Sequence, residues 1–175
     1  MIFKQKGEIQ SFPPFVILLT TVLLNHSIFA GMGRIMAIDY GRKRVGIAVT
    51  DPLQLIANGL DTISTHNLMD FLKKYFSNEE VETVVIGYPK KLNNEPSESV
   101  AFINEFLKKF KKAFPGMSFF LIDERFTSKM ATRAMIDGGL KKKQRQEKAL
   151  VDKISATIIL QSYMQMKENN TNSSR

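Results

Sequence analysis

Apolar side chains along this chain alternate between short continuous runs and segments in which they recur at helical spacing. The first run, 35–38, is of the kind found in buried strands. A basic turn, 42–44, separates it from the β-branched segment 45–50, and so short a connection predicts an antiparallel hairpin. A third strand is predicted over 59–65. Three antiparallel strands therefore open the predicted fold.

The later part of the pattern alternates helices with strands. The predicted elements are, in order, a helix from near Asn67, a strand over 83–87, a helix over 97–114, a strand over 119–122, a helix over 127–135 ended by Gly138 and Gly139, a polar basic stretch at 141–148 and a helix over 149–166. Two αβ crossovers make the fourth and fifth strands parallel to the first. We predict an α/β fold with a mixed five-stranded sheet and helices on both faces.

Residues 1–33 differ in pattern from everything after them. The apolar run 15–24, preceded by lysines, resembles a secretory signal, and its length of about ten residues falls short of the roughly 20 that a membrane span needs. The alternative is a translation start at Met32, with a cytoplasmic product that has no stable membrane association. We favour this start because the first strand follows without a polar spacer. One folded domain, 34–168, and a disordered tail, 169–175, are then expected.

The amino-acid composition excludes several kinds of site and favours one kind of partner. The chain has no cysteine, which excludes disulfides, thiolate zinc sites and cysteine nucleophiles. Lysine and arginine exceed the acids by 25 to 17, for a net charge of +8. Such a charge favours a polyanionic partner through phosphate neutralisation. Nucleic acid is therefore the predicted partner, and a merely soluble basic surface is the alternative.

Three acids stand where catalytic carboxylates are expected. Asp39 and Glu124 each follow an apolar run at a strand end, and sites in α/β sheets prefer the carboxyl edge. Asp152 shares a helical stripe with small residues that can approach the sheet. Asp123 competes with Glu124, because neighbouring strand residues point in opposite directions. Asp51, after the second strand, is a weaker candidate.

Each acid also has a structural alternative. Asp39 could begin a turn, Glu124 could pair with Arg125, and Asp152 could brace its helix through Lys148 or Lys153.

Converging carboxylates without cysteine or a placed histidine suit a hard, oxygen-seeking cation. We predict one or two Mg²⁺ or Mn²⁺ ions, which activate water for attack on a phosphodiester. Neither His26 nor His66 belongs to a recognisable site.

Basic residues flank all three acids, and they are predicted to grip phosphates beside the scissile bond. They are Arg42, Lys43, Arg44, Arg125, Lys141, Lys142, Lys143 and Arg145. A solvated surface is the alternative for 141–145, and it is favoured for the lysines of 108–112.

Four motifs match one known family in order and spacing. They are Ala37-Ile38-Asp39-Tyr40-Gly41-Arg42-Lys43-Arg44-Val45-Gly46, Ile86-Gly87-Tyr88-Pro89, Asp123-Glu124-Arg125-Phe126-Thr127-Ser128 and Val151-Asp152-Lys153-Ile154-Ser155-Ala156. From about Arg34 to Gln165 the chain resembles the YqgF family, also called RuvX. The resemblance implies an RNase H-like fold and a bacterial cytoplasmic nuclease that matures the 5′ end of precursor 16S rRNA, or a Holliday junction resolvase.

The resemblance implies catalytic roles for Asp39, Glu124 and Asp152. In the wider RNase H-like group an acid also commonly ends the fourth strand, where this chain has Gly87. The site must then rely on Glu124. Residues 1–31 also depart from the family, which supports a start at Met32.

Two other classes are weighed against the nuclease. Asp39, Gly41 and Gly46 resemble the first phosphate loop of actin-like ATPases, but those proteins enclose nucleotide between two such domains. A non-catalytic RNA-binding assembly factor is the third class. The sequence leaves open whether the substrate is structured RNA or four-way DNA, and whether the protein is a monomer or a homodimer.

Overall fold

A five-stranded sheet with helices on both faces forms the part of the chain that the computed structural model describes, residues 33–89, 98–123 and 127–173. Its elements are β1 (Arg34–Tyr40), β2 (Arg44–Thr50), β3 (Ala57–Ser64), α1 (Leu68–Asn78), β4 (Val81–Tyr88), α2 (Glu98–Ala113), β5 (Ser118–Asp123), α3 (Thr127–Asp137), α4 (Lys142–Arg145) and α5 (Lys148–Ser173), with a 3-10 turn, Thr65–Asn67, before α1. The predicted leader, apart from Gly33, lies outside the described residues, as do the Ser97 cap, Glu124 and Arg125.

The sheet is mixed, as predicted. Its order is β3-β2-β1-β4-β5, with β1 antiparallel to β2 and β2 antiparallel to β3. Strands β4 and β5 run parallel to β1, as two αβ crossovers require. The carboxyl ends of β1, β4 and β5 therefore meet at one edge, called here the carboxyl edge.

Strand β1 is central and buried on both faces. Met36 and Ile38 face the core under α1 and α2, which includes Phe110. Ile35 and Ala37 alternate with them and face the core under α5. The strand has no polar face because helices cover both sides of the sheet.

Helix α5 crosses the sheet at very short range over β2 and β3. A β carbon on Gly46 would overlap the carbonyl oxygen of Asp152, and one on Gly59 would lie 2.6 Å from Cγ of Lys153. The small buried residues Ser155 and Ala156 continue this contact. Glycine in these strands marks close backbone approach, which fixes the height of α5 above the sheet.

Several element limits differ from the sequence prediction. The expected disordered tail from Asn169 is wrong as far as Ser173, because α5 continues to that residue. Once the packed turns of a helix exist, each further residue adds one hydrogen bond, and no glycine or proline follows Gly139 to stop it. Part of the predicted polar stretch forms the short helix α4.

The predicted end of α3 is confirmed. Gly139 has a φ of +74°, and Leu140 N donates to Met135 O at 3.0 Å. This left-handed glycine ends the helix in the usual way. None of the described helices combines the length and hydropathy that crossing a membrane requires.

Asp51 organises the loop after β2, at the edge of the sheet opposite Asp39. Its carboxylate accepts hydrogen bonds from the backbone N–H groups of Leu53, Leu55 and Ile56, at 3.0, 2.8 and 2.7 Å. These bonds, first that from Ile56, lower the pKa of Asp51 below its ordinary 3.8. Its role is therefore to hold this loop, away from the carboxyl edge.

The contribution of Asp51 to stability is expected to disappear at acid pH. A lowered pKa in the folded state gives stability that is complete above the unfolded pKa and is lost as pH falls through the folded value. The free energy of unfolding of wild type should exceed that of Asp51→Asn by a constant amount at neutral pH, and the difference should shrink below pH 3.8. Urea unfolding over a pH series measures it. Asp70→Asn, on the exposed face of α1, is the control and should show no such excess.

Candidate active site

Asp39 lies near the end of β1, and its side chain is on the face covered by α5. It follows Ile35 and Ala37 in the strand alternation, and both of these pack under α5. Tyr40, the next residue, packs on the α1 and α2 side. Asp39 is partly exposed at the carboxyl edge.

Asp152 lies over the strand position that is paired with Asp39. The cross-strand partner of Asp39 on β2 is Gly46, and Gly46 is the residue on which the Asp152 backbone rests. Directly paired residues on neighbouring strands point to the same face. The structure therefore brings Asp39 and Asp152 to one face of one edge, although 113 positions separate them in sequence.

An ion pair with Arg44 holds the carboxylate of Asp152. Arg44 Nε lies 2.7 Å from Asp152 Oδ2, and the two side chains are 38% and 24% exposed. This is a different partner from Lys148 and Lys153, the alternatives raised by the sequence. A pair this exposed stabilises the fold by only about 0–1 kcal/mol. Its effect is to orient the carboxylate beside a positive charge.

Strand β5 places Asp123 on the opposite face from Asp39. Phe119 packs under α1 and α2, whereas Ile122 packs under α5. By strand alternation Asp123 therefore lies on the same face as Phe119, and it pairs in register with Tyr88 of β4. Glu124 lies outside the described residues.

Gly87 occupies the position on β4 next to Asp39. Val85 packs under α5, so Gly87, two residues later, is on the same face. The β1 and β4 register pairs Ile38 with Ile86, one residue before each. The fourth-strand position thus offers no side chain, and the described residues contain no group of three acids and histidines able to hold a metal.

The predicted basic residues fall into two groups. Arg42 and Lys43 are exposed at the β1–β2 turn, where Gly41 N donates to Arg44 O at 3.0 Å and the Thr65 hydroxyl donates to Gly41 O at 2.8 Å.

The second group immediately precedes α5 along the chain. Lys141, Lys142 and Lys143 are exposed there. Arg145 Nε donates to Leu140 O at 3.1 Å and braces the turn. Arg125 lies outside the described residues.

The residues that the structure brings together fit a hard divalent cation. Asp39 and Asp152 supply carboxylate oxygens from two rigid elements, and the chain has no cysteine to favour a softer metal. Two carboxylates on one face are the part of such a site that the described residues supply.

Sequence reasoning missed the connection between Gly46, Arg44 and Asp152. The signal was a glycine among the β-branched residues of β2, since an isolated strand glycine often marks a close backbone approach. It predicts the approach without naming which helix makes it.

The fold and the carboxyl edge define an α/β protein with a mixed five-stranded sheet, in which the first three strands are antiparallel and helices cover both faces. The chain belongs to the RuvX family. The profile of that family, described as "Holliday junction resolvase", matches residues 33–166. The resemblance found in the motifs is confirmed.

Close relatives carry a second description. A protein of Flavobacterium johnsoniae is 60% identical over 136 residues, which cover 78% of this chain and 99% of the relative. A protein of Phocaeicola vulgatus is 57% identical over 137 residues, with 78% and 99% covered. Both are named "Putative pre-16S rRNA nuclease". The solved structure of Thermus thermophilus RuvC is similar with a TM-score of 0.46 and 18% identity, over 77% of this chain and 96% of that one.

Proposed function

We propose that this protein is a metal-dependent endonuclease that processes the 5′ end of precursor 16S rRNA in the bacterial cytoplasm. Membership of the RuvX family and the names of the close relatives support a nuclease. The observation that carries the proposal is the placement of Asp39 and Asp152 on one face of the carboxyl edge. The net charge of +8 supports a nucleic-acid substrate.

Three acids would hold one or two Mg²⁺ or Mn²⁺ ions in this proposal: Asp39, Asp152 and Glu124. Asp123 is on the face opposite Asp39, so the proposal takes Glu124 as the acid of this pair. A divalent cation, when bound, makes water a better nucleophile and neutralises charge on the leaving oxygen.

The chain's own residues position the substrate. Arg44 keeps Asp152 oriented through Nε, and its guanidinium has further N–H donors for a phosphate oxygen. Arg42 and Lys43 on the turn, and the stretch 141–145 before α5, would contact phosphates on either side. Arg125 would join them beside Glu124.

One nuclease assay tests the proposal. Precursor 16S rRNA, a four-way DNA junction and a single strand are each incubated with the protein in Mg²⁺, in Mn²⁺ and in chelator. We expect cleavage of the precursor near the mature 5′ end in either metal and none in chelator. Preferred cleavage of the junction would favour the resolvase, which the family description supports and whose symmetric cuts would need a homodimer rather than a monomer. Binding of all three without cleavage in either metal would favour a non-catalytic assembly factor.

A further inference from the structure

A pocket with aromatic and basic walls opens on the α1 and α2 side of the carboxyl edge. Its volume is about 350 Å³, within the range of ligand pockets. It is lined by the end of β1, the β1–β2 turn, the 3-10 turn, the start of α1 and α2. The lining residues that matter here are Tyr40, Arg42, Met69, Phe102, Phe106 and Lys109.

The aromatic wall is rigid at its base and accessible at its rim. The rings of Tyr40 and Phe106 stack with centroids 4.7 Å apart, and Phe106 is only 3% exposed. Phe102 is 41% exposed, and the Arg42 guanidinium lies 4.6 Å from its ring centroid. The Arg42 guanidinium lies over the face of the Phe102 ring, and these two planar groups are called here the platform. Unstacked nucleobases pack on platforms of both kinds.

The basic wall can take a phosphate. Lys109 Nζ pairs with Glu105 Oε1 at 2.8 Å, and both side chains are more than 60% exposed. So exposed a pair is weak, and Lys109 can exchange Glu105 for a phosphate at small cost. Lys109 also acts on Tyr40, where it partly offsets the increase in pKa that burial causes. A cation beside an aromatic platform matches a nucleotide, which has one anionic part and one flat part.

The position of the pocket relates it to the candidate active site. Tyr40 follows Asp39 directly in β1, and the two side chains lie on opposite faces of the same edge. A single strand that crosses this edge can present a phosphate to Asp39 and an unstacked neighbour to the pocket. A duplex keeps its bases stacked and cannot fill the pocket.

We propose that this pocket binds one unstacked nucleotide of single-stranded RNA or DNA next to the cleaved bond. The inference rests on the proposed nuclease function for the path of the strand. It assigns to Phe102 and Lys109 a binding role that the sequence pattern, an exposed helical face, does not show.

The test measures binding without metal, so that cleavage does not contribute. Labelled single strands of roughly ten nucleotides, as RNA and as DNA, are titrated with the full chain and its variants by fluorescence anisotropy. Phe102→Ala should weaken binding about 10-fold, the usual size of a lost base–aromatic stack. Lys109→Gln should reduce the slope of log affinity against log salt by about one phosphate contact.

Matched controls come from the same helix. Phe102→Tyr keeps the ring, and Lys108→Gln removes an exposed charge that does not line the pocket. Both should bind within about twofold of wild type, since neither removes the stack or the phosphate contact. Binding of a blunt duplex should be insensitive to Phe102→Ala. RNA and DNA strands affected alike would show recognition of the shared nucleotide chemistry, and an effect on RNA alone would restrict the ligand to RNA.

A direct readout uses 5′-AMP and methyl NMR. The Met69 methyl lines the pocket and should shift on titration, whereas that of Met166, on α5, should not. Pocket variants that bind strands as well as their controls, together with an unshifted Met69, would overturn the proposal. If the strand binds in this way and no substrate is cut, the pocket stands and the nuclease proposal fails. If substrate is cut but the pocket variants bind strands as well as their controls, the nuclease proposal stands and the pocket proposal fails.

Discussion

The Asp39→Asn variant is expected to cleave at least about 100-fold more slowly than wild type, because loss of residues that merely support a metal ligand already costs 10–100-fold. Asparagine keeps the shape of the side chain and one oxygen, but it loses the charge that a divalent cation needs. Affinity for the uncut substrate should stay the same or tighten slightly, since one negative charge beside the phosphates is removed.

Asp152→Asn should show the same loss of cleavage. This change also releases Arg44, but an ion pair of that exposure contributes about 0–1 kcal/mol, so the protein should still fold. The matched control is Asp137→Asn, which breaks the exposed pair between Asp137 and Arg133 Nε, 3.0 Å apart on α3. Single-turnover cleavage and urea unfolding, measured on all three variants, separate catalysis from folding.

The assignment of the acids fails if Asp39→Asn and Asp152→Asn cleave as fast as Asp137→Asn. A second contrary result would be a large, equal loss of folding stability in both variants, which would return the two acids to structural roles.

The Gly46→Ala variant is expected to lose about 3 kcal/mol of unfolding free energy, the upper part of the usual range for overpacking. Its new β carbon would overlap the Asp152 carbonyl oxygen, a backbone atom that cannot rotate away. Helix α5 would have to rise from the sheet, and the contacts of Ile159 and Leu160 with β1 and β2 would loosen with it. Cleavage should fall as well, because Asp152 would move relative to Asp39.

Alanine variants of two other glycines serve as comparisons for Gly46→Ala. Gly59→Ala has side-chain atoms of Lys153 and Thr157, and no backbone atom, as the three nearest neighbours of its new β carbon, so its loss should be smaller. Gly116 has nothing within 4 Å of the position of a new β carbon. There alanine should be neutral, or stabilise by about 0.4–1 kcal/mol through the unfolded chain. Equal unfolding free energies for Gly46→Ala and Gly116→Ala would show that α5 does not depend on the approach at Gly46.

Much of the fold could be predicted because local pattern and tertiary packing agree. The apolar run 35–38 is buried on both faces, and the glycine pair 138–139 ends α3 with a left-handed residue. The length of α5 could not be predicted in this way. Its polar end, 169–173, has the composition of a tail, and its helical form depends on the packed turns before it.

The sequence selects residues for the candidate site without reporting their contacts. Strand-end position selected Asp39, and the alternation that the structure supplies puts Asp123 on the other face. The ion pair of Arg44 with Asp152 joins residues 108 positions apart, so no local pattern reports it. The pocket at Phe102 and Lys109 could not be predicted for a similar reason, because it exists only where α2 meets the β1–β2 turn.

Asp39 and Asp152 lie near opposite ends of the described chain, so the ribosome adds them at different times. A ribosome adds about 5–20 residues each second, N-terminal part first. The sheet can begin to form while α5 is still to be made, but the edge that carries Asp39 lacks its second acid until the last helix emerges and docks on Gly46. For a protein proposed to cut ribosomal RNA, a nascent chain beside the ribosome would therefore be inert until α5 has been made and has docked.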